Sequence, residues 1–223
     1  MTSSALNLPL RAKFRVLEEE RERAWKPEAL AVNVGQRHTL VNQHNISPPF
    51  VKAGDVFPHA VLPTVGGGSV DLDKFVQKKG GVIIFFRFST CPACNIALPH
   101  YRDTLWPPLL AAGIPLVAIS PQPVQALSEI VVKHALPFTV ASDTGLALSR
   151  KLGITYTFDD ASRSAALSGG GKSSSLNGLD NVWELPKPAI FAVGADHIIH
   201  FVDVSPDWMD RTETEQVLAA LGL

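Results

Sequence analysis

The chain is 223 residues long, enough to bury a full core in one large domain or a domain with an extension, so its two cysteines are not needed as staples. Its 20 basic and 21 acidic side chains leave a formal net charge of -1, and apart from Glu18 to Arg23 no charge block exists to recruit a nucleic-acid backbone. The longest apolar run, Val82 to Phe86, is too short to span a bilayer, and the N-terminus lacks the apolar core and cleavage site of a leader, so a cytosolic protein without a membrane partner is expected.

In chain order, Leu10, Phe14, Leu17 and Trp25 recur at helical spacing through an Arg/Glu-rich segment, which predicts one amphipathic helix with "EEERER" as its solvated face. From Pro27 to Pro49 the pattern is lost, and an extended linker is expected. The compact domain is expected to run from 53 to 223, with residues 1–52 as a helix and linker ahead of it. "AGDVFPHAVLPTVGGGSVDL" reads as a turn and two short strands around Gly66 to Gly68.

Thereafter strands and helices alternate. "GVIIFFRF" has the continuous apolar character of a strand buried on both faces. A helix is expected from about Pro92 to Trp106, then a strand at "PLVAIS", a helix marked by Val124, Leu127, Ile130 and Val131, and a strand at "FTVAS". "DTGLALSRKLGI" predicts a further helix opened by Asp143. "AIFAVGADHIIHFVDV" reads as a terminal hairpin, and Thr212 with Glu215 as a capping box for a closing helix. Residues 155–184, rich in Ser, Gly and Asp, break the rhythm and read as a long inserted loop.

The only cysteines, Cys91 and Cys94, stand in "FFRFSTCPACN", where a strand gives way to a helix. A lone C-x-x-C in such a setting points to redox chemistry. The first sulfur meets the helix N-terminus, where free N–H groups and the dipole favour a thiolate, so Cys91 is the expected nucleophile. Pro92 suits the first helical position, because its missing N–H costs nothing there. Cys94, one turn on, is placed to resolve a mixed disulfide or a sulfenic acid at Cys91. A thiol at pKa about 8.5 is roughly 3% ionised at pH 7, and at about 7 roughly 50%; because nucleophilicity falls with basicity, the net gain is only about threefold. Fast peroxide reduction therefore also needs donors that stabilise the departing oxygen.

Taken together, "FFRFSTCPACN", "LVAISPQ", "FTVASDTGLALSRKLGITYTF", "WELPKPAIFAV" and "VDVSPDW" followed by "ETEQVLAAL" resemble the peroxiredoxin-like branch of the alkyl hydroperoxide reductase and thiol-specific antioxidant (AhpC/TSA) family, over roughly residues 53 to 223. The resemblance implies an α/β thioredoxin-like fold, a central mixed sheet flanked by helices, with the N-terminal helix and the 155–184 insertion as additions. It implies Cys91 as attacking and Cys94 as resolving cysteine, Pro188 as a cis-proline, and Lys187 with its backbone turned toward the active sulfur. It also implies an external thiol reductant, whether a thioredoxin, a glutaredoxin or a small thiol.

Three departures matter. Where such proteins carry P-x-x-x-T-x-x-C, this chain has Ile84 and Phe88; Thr90 replaces a tryptophan before the first cysteine; Ala93 replaces a tyrosine between the cysteines. Thr90 as a hydroxyl donor and Arg87 as an anion stabiliser are the candidate supporting groups. "ALSGGGKS" at 166–173 fits a phosphate-loop pattern, but it lacks the preceding strand and following apolar helix that such a loop needs. Zinc needs about four ligands, and one C-x-x-C with the scattered His100, His134, His197 and His200, read as surface residues, does not supply them. No cofactor or metal is expected. Two rival readings remain: a thioredoxin-fold enzyme adapted to a small organic substrate, with the insertion as lid and an apolar pocket beside Cys91, and a redox sensor or homodimeric partner-binding module.

Overall fold

The computed structural model describes residues 8–47 and 51–223. In chain order the elements are α1 (Leu10–Ala24), α2 (Pro27–Ile46), β1 (Val61–Pro63), β2 (Ser69–Asp71), α3 (Leu72–Val76), β3 (Gly81–Phe85), α4 (Pro92–Thr104) and α5 (Trp106–Ala112). There follow β4 (Leu116–Ser120), α6 (Val124–His134), β5 (Thr139–Ser142), α7 (Ala147–Lys151), β6 (Thr155–Thr157), α8 (Asp160–Ser168), α9 (Ser174–Asn177), β7 (Glu184–Pro186), β8 (Ala189–Val193), β9 (Ile199–Val204) and α10 (Thr214–Leu221).

The main sheet has the order β5-β4-β3-β8-β9. β3 pairs in parallel with β4 and antiparallel with β8, so the sheet is mixed and β3 lies at its centre. Every residue of β3, β4 and β8 is buried, as continuous apolar strands covered on both faces must be. The turn into β3 requires glycine at Gly80, where φ is +73° and a Cβ would collide with the Val193 carbonyl oxygen. The result is the expected thioredoxin-like frame. One apolar cluster on one face contains Phe57, Ile83, Phe85 and Phe191. The other contains Val82, Ile84, Leu98, Trp208 and both cysteines.

Several expectations need correction. The stretch read as an extended linker is α2, a 20-residue helix with proline at its start; Pro48 and Pro49 lie outside the described residues. Its buried residues are Gln36, Arg37 and Leu40, so two polar side chains point inward and erase the apolar period. Arg37 is held there by Asp207, with a Nε–Oδ1 distance of 2.6 Å, and by Glu18 at 2.6 Å. The 155–184 insertion is folded as well: β6 pairs antiparallel with β7, and α8 packs against α2. α8 ends at Ser168, and the short α9 begins at Ser174, so the glycine run is a turn between helices and not a phosphate loop.

α1 is fastened by the chain's far end. Glu213 accepts from the backbone N–H of Leu10 at 2.8 Å and of Arg11 at 2.9 Å, satisfying donors that a helix start leaves free. Glu213 also forms the capping box of α10 with Gln216, one residue beyond the expected Thr212 and Glu215. Leu10, Phe14 and Leu40 join the cluster that holds the cysteines. No helix among the described residues is long and apolar enough to cross a membrane.

Candidate thiol redox site

Cys91 is the N-cap of α4 and Pro92 its first residue, as the spacing predicts. The segment from β3 to α4 is pinned on all sides. Ser120 Oγ donates to the Arg87 carbonyl at 3.1 Å, and Ser89 N–H donates to Gln122 Oε1 at 2.6 Å. Asn95 Nδ2 donates to the carbonyls of Ser89 and Cys91 at 2.6 and 3.0 Å, while its Oδ1 meets Lys133 Nζ at 2.9 Å and His134 Nε2 at 2.8 Å. Asn95 and Gln122 thus position the thiols, although sequence reasoning gave neither a role. Both stand in quoted motifs, "CPACN" and "AISPQ", which was the available signal.

The sulfurs are buried, Cys91 at 1% and Cys94 at 0% exposure, and both are free thiols. Arg87 Nη1 lies 3.7 Å from Cys91 Sγ, and its Nε donates to the Tyr156 hydroxyl at 3.1 Å. The same guanidinium sits 4.0 Å from the centre of the Trp208 ring. On the other side, Arg211 Nη2 lies 3.4 Å from Cys94 Sγ, its Nε donates to the Trp208 carbonyl at 3.0 Å, and its guanidinium faces the Phe14 ring at 5.8 Å. A third cation, Arg21, is 5% exposed and packs on Trp25 at 4.8 Å. It belongs to the "EEERER" run expected to be solvated.

Two buried guanidiniums, Arg87 and Arg211, therefore flank the pair of thiols, while Arg21 donates to Asn33 Oδ1 at 3.4 Å and to Met209 Sδ at 3.5 Å; among the described residues none of the three forms a salt bridge with a carboxylate. An isolated buried charge is expensive, and the thiol pair is the partner that offsets it. The effect on the sulfurs is unequal. At Cys91 the hydrogen bond to Cys94, then burial and the Cys94 charge, push the thiol well up, against the pull of Arg87 and Arg211. At Cys94 burial also pushes upward, but the hydrogen bond from Cys91 and the charge of Arg211 outweigh it and hold the group well below the ordinary thiol range. The two thiols are thus pushed in opposite directions, Cys91 up and Cys94 down, with Arg87 and Arg211 pulling both toward the thiolate.

The remaining expected supporting groups fare differently. Thr90 is exposed and makes no hydrogen bond to Cys91, so it is not the donor. The bond preceding Pro188 is trans, since no described peptide bond is cis. Lys187 is 7% exposed; its N–H is taken by the Ile154 carbonyl at 2.7 Å, and its charge acts on His44 of α2. The cations that act on Cys91 are Arg87 and Arg211 instead. His100, read as a surface residue, is buried with Nδ1 3.2 Å from Lys13 Nζ. Far along the chain from the cysteines, ligand atoms of His59, Asp71 and Asp73 gather within 4.8 Å, but Asp71 caps α3 and Asp73 pairs with His59.

Beside Arg87 lies a cavity of about 260 Å³ lined by Trp25, Ala29, Val32, Asn33, Gln36, Arg87, Tyr156, Phe158, Ser162, Ala165 and Trp208. Its walls come from the end of α1, from α2, from β6 and α8, and from the turn after β9. Eight of these eleven lining residues lie in the segments read as linker and loop.

A mixed sheet with two thiols in the first turn of a helix, backed by cations, defines a thioredoxin-like thiol redox protein. The AhpC/TSA family model matches residues 53–202, and the chain belongs to that family of oxidoreductases. Peroxiredoxin Bcp of Escherichia coli (strain K12) is 30% identical over 104 residues, which cover 47% of this chain. Thiol-disulfide oxidoreductase ResA of Halalkalibacterium halodurans is 24% identical over 139 residues, 61% of this chain and 77% of its own. The match spans 65% of the length of the Escherichia coli relative. Among solved structures, Peroxidoxin BcpB of Mycobacterium tuberculosis superposes with a TM-score of 0.60 at 19% identity, covering 77% of this chain and 97% of its own. PrxQ of Xylella fastidiosa gives 0.59 at 15% identity, covering 77% and 96%.

Proposed function

We propose that the chain is a thiol-dependent oxidoreductase in which Cys91 attacks a peroxide or a disulfide and Cys94 resolves the product. The observation that carries this reading is the buried Cys91-Cys94 pair held between Arg87 and Arg211. Cys91 is the sulfur on the cavity side, through Arg87, and Cys94 faces Arg211. As Cys91 attacks, its proton passes along the hydrogen bond to the Cys94 thiolate, so the nucleophile is made at the moment of reaction. With a peroxide ROOH, the thiolate takes the terminal OH as the O–O bond breaks, giving a sulfenic acid at Cys91, and RO⁻ departs and takes a proton from solvent to become ROH. The Cys94 thiol then displaces water to form the Cys91-Cys94 disulfide. An external thiol, of a thioredoxin, a glutaredoxin or a small molecule, takes the oxidising equivalents, in a cytosolic setting.

Arg87 supports the electrostatic part of the step, because a guanidinium 3.7 Å from the attacking sulfur can hold the oxygen that departs with charge. The test is stopped-flow mixing of the reduced protein with hydrogen peroxide, alongside Cys91→Ser and Cys94→Ser. Disulfide formation far faster than with a free thiol, abolished in the first variant and halted at sulfenic acid in the second, is the expected result. A rate no better than a free thiol's sinks the peroxidase half. The second reading, an enzyme adapted to a small organic substrate, is favoured by the aromatic cavity on Arg87. It expects slow peroxide turnover and saturable kinetics with an organic substrate.

A further inference from the structure

The cavity beside Arg87 has a one-sided hydrogen-bonding character. No aspartate or glutamate lines it. Arg87, 8% exposed, spends Nε on Tyr156 and Nη1 on Cys91, which leaves Nη2 with no acceptor among the described residues. Gln36, 3% exposed, spends its carbonyl on the Asp159 N–H at 2.7 Å, which leaves its Nε2 donor equally unpaired. Behind Trp25 and Asn33, two lining residues, Arg21 is buried with no partner for its Nε. Asn33, whose Oδ1 accepts from Arg21, and Ser162 are the other polar lining side chains, and the remaining walls are apolar or aromatic, among them Trp25, Val32, Tyr156, Phe158 and Trp208.

Donors without acceptors and cations without carboxylates call for a ligand that brings acceptor oxygens and negative charge. We propose that this cavity binds small organic carboxylates, with the carboxylate on Arg87 and Gln36 and an aromatic or aliphatic body against Trp25, Phe158 and Trp208. At about 260 Å³ the cavity falls just below the roughly 300 Å³ at which drug-sized sites begin, so the occupant is one ring or a short chain. The proposal deepens the thiol oxidoreductase reading and rests on it for its purpose: the carboxylate marks the substrate class presented to Cys91. The binding itself needs no turnover.

The geometry adds a coupling. Arg87 serves both the Cys91 sulfur and the cavity, so a thiolate on the pair and a carboxylate in the cavity draw on one cation. Removing the thiolate, by disulfide formation or by substitution, tightens carboxylate binding, and by linkage the carboxylate favours the disulfide to the same factor. A tenfold preference corresponds to about 30 mV in the potential of a two-electron couple.

The probe is 4-phenylbutyrate, followed by calorimetry and by Trp25 and Trp208 fluorescence, with the neutral 4-phenylbutan-1-ol as its shape match. Saturable one-to-one binding of the carboxylate is expected, at least roughly tenfold tighter than the alcohol. In the Cys91→Ser/Cys94→Ser double variant the carboxylate affinity rises by roughly another tenfold. Ala165→Trp, which places a large ring from exposed α8 into the cavity, removes binding while Tm holds. Equal affinities for acid and alcohol, binding that survives Ala165→Trp, or no saturation at about 1 mM each overturn the proposal. A protein that binds the carboxylate but does not react with peroxide or disulfide keeps the cavity and loses the thiol reading, so the two failures are distinct.

Discussion

Cys91 and Cys94 are three residues apart, yet their surroundings differ in kind. Cys91 adjoins Arg87, whose guanidinium lies among Tyr156, Phe88 and Trp208 and forms a wall of an apolar cavity. Cys94 adjoins Arg211, which lies under Phe14 of α1 and is fixed by the Trp208 carbonyl. Under the proposed mechanism Cys91 attacks and Cys94 resolves, so each sulfur works beside its own arginine. The two arginines, brought from residues 87 and 211, set the two sulfurs apart in this mechanism. The largest test of that division is Cys91→Ser, which removes the atom that attacks: turnover falls on the order of 10³-fold or more. Cys94→Ser slows the first attack by removing the proton acceptor but leaves the attacking sulfur, and mass spectrometry detects one oxygen added at Cys91.

The Arg211 side depends on a helix that lies outside the residues matched by the family model. Phe14 is 1% exposed and packs in the same cluster as the cysteines. Phe14→Ala is expected to cost about 3–5 kcal/mol in stability, the range for a deleted core aromatic. It also loosens the cover over Arg211. Urea unfolding gives the first number, and faster alkylation of Cys94 by iodoacetamide reports the second. Unchanged Cys94 reactivity in a destabilised variant shows that α1 supports the fold without sealing the sulfur.

What the sequence made legible follows from how local its signals are. Gly81–Phe85 and Ala189–Val193 are short, apolar and bounded, so their strands could be read directly, and the C-x-x-C with Pro92 announced the helix start. α2 was invisible because its inward face carries Gln36 and Arg37, which periodicity scores as solvent-facing. α8 was invisible because none of its residues is buried, so no stripe exists to detect. Arg21 and Arg211 were missed because charged residues are rarely fully buried unless paired, and their partners, Met209 for Arg21 and Cys94 for Arg211, are distant in sequence. The cavity was foreseen as a rival's requirement, but most of its builders were read as linker and loop.

Arg211→Met sharpens the electrostatic half of the comparison. Burial is the largest influence on Cys94 and pushes its thiol up; without Arg211 that push is less opposed, so Cys94 titrates higher. A hydrogen bond to a charged group contributes about 1.5–3 kcal/mol, so the rate of peroxide attack at neutral pH should drop about 10- to 100-fold. Thiolate absorbance near 240 nm, followed against pH, checks the assignment. The sign extends to stability. Cys94 is depressed in the folded protein, so its contribution is present above the unfolded thiol value of about 8.5 and is lost as pH falls toward the depressed value. Cys91 is raised, so its contribution is present below that value and is lost as pH rises. The reduced protein should therefore gain most, relative to the Cys91→Ser/Cys94→Ser variant, near pH 8.5, and Arg211→Met should flatten the acid-side slope. A reduced protein whose Tm tracks the double variant at every pH contradicts the opposed shifts of the two thiols.

The smallest expected effect tests the cavity side. Gln36 of α2 accepts the Asp159 N–H at the start of α8, and Asp159 in turn caps α8 by accepting from Ser162. One hydrogen bond thus joins the two added elements that wall the cavity, across 123 residues of chain. Gln36→Leu fills nearly the same space but leaves the Asp159 N–H unpaired, so a global cost of about 1–3 kcal/mol is expected, toward the low end if water reaches it. The informative effect is local. Because α8 buries no residue of its own, its hold on the fold runs through α2, and its amides should exchange faster in Gln36→Leu while those of β3 and α4 do not. If amides throughout the sheet quicken together, α8 opens only with global unfolding and cannot serve as a lid over Arg87. If only α8 and the 169–182 segment quicken, the cavity side of the thiol pair has a cover that moves separately, whereas the Arg211 side stays shut under Phe14.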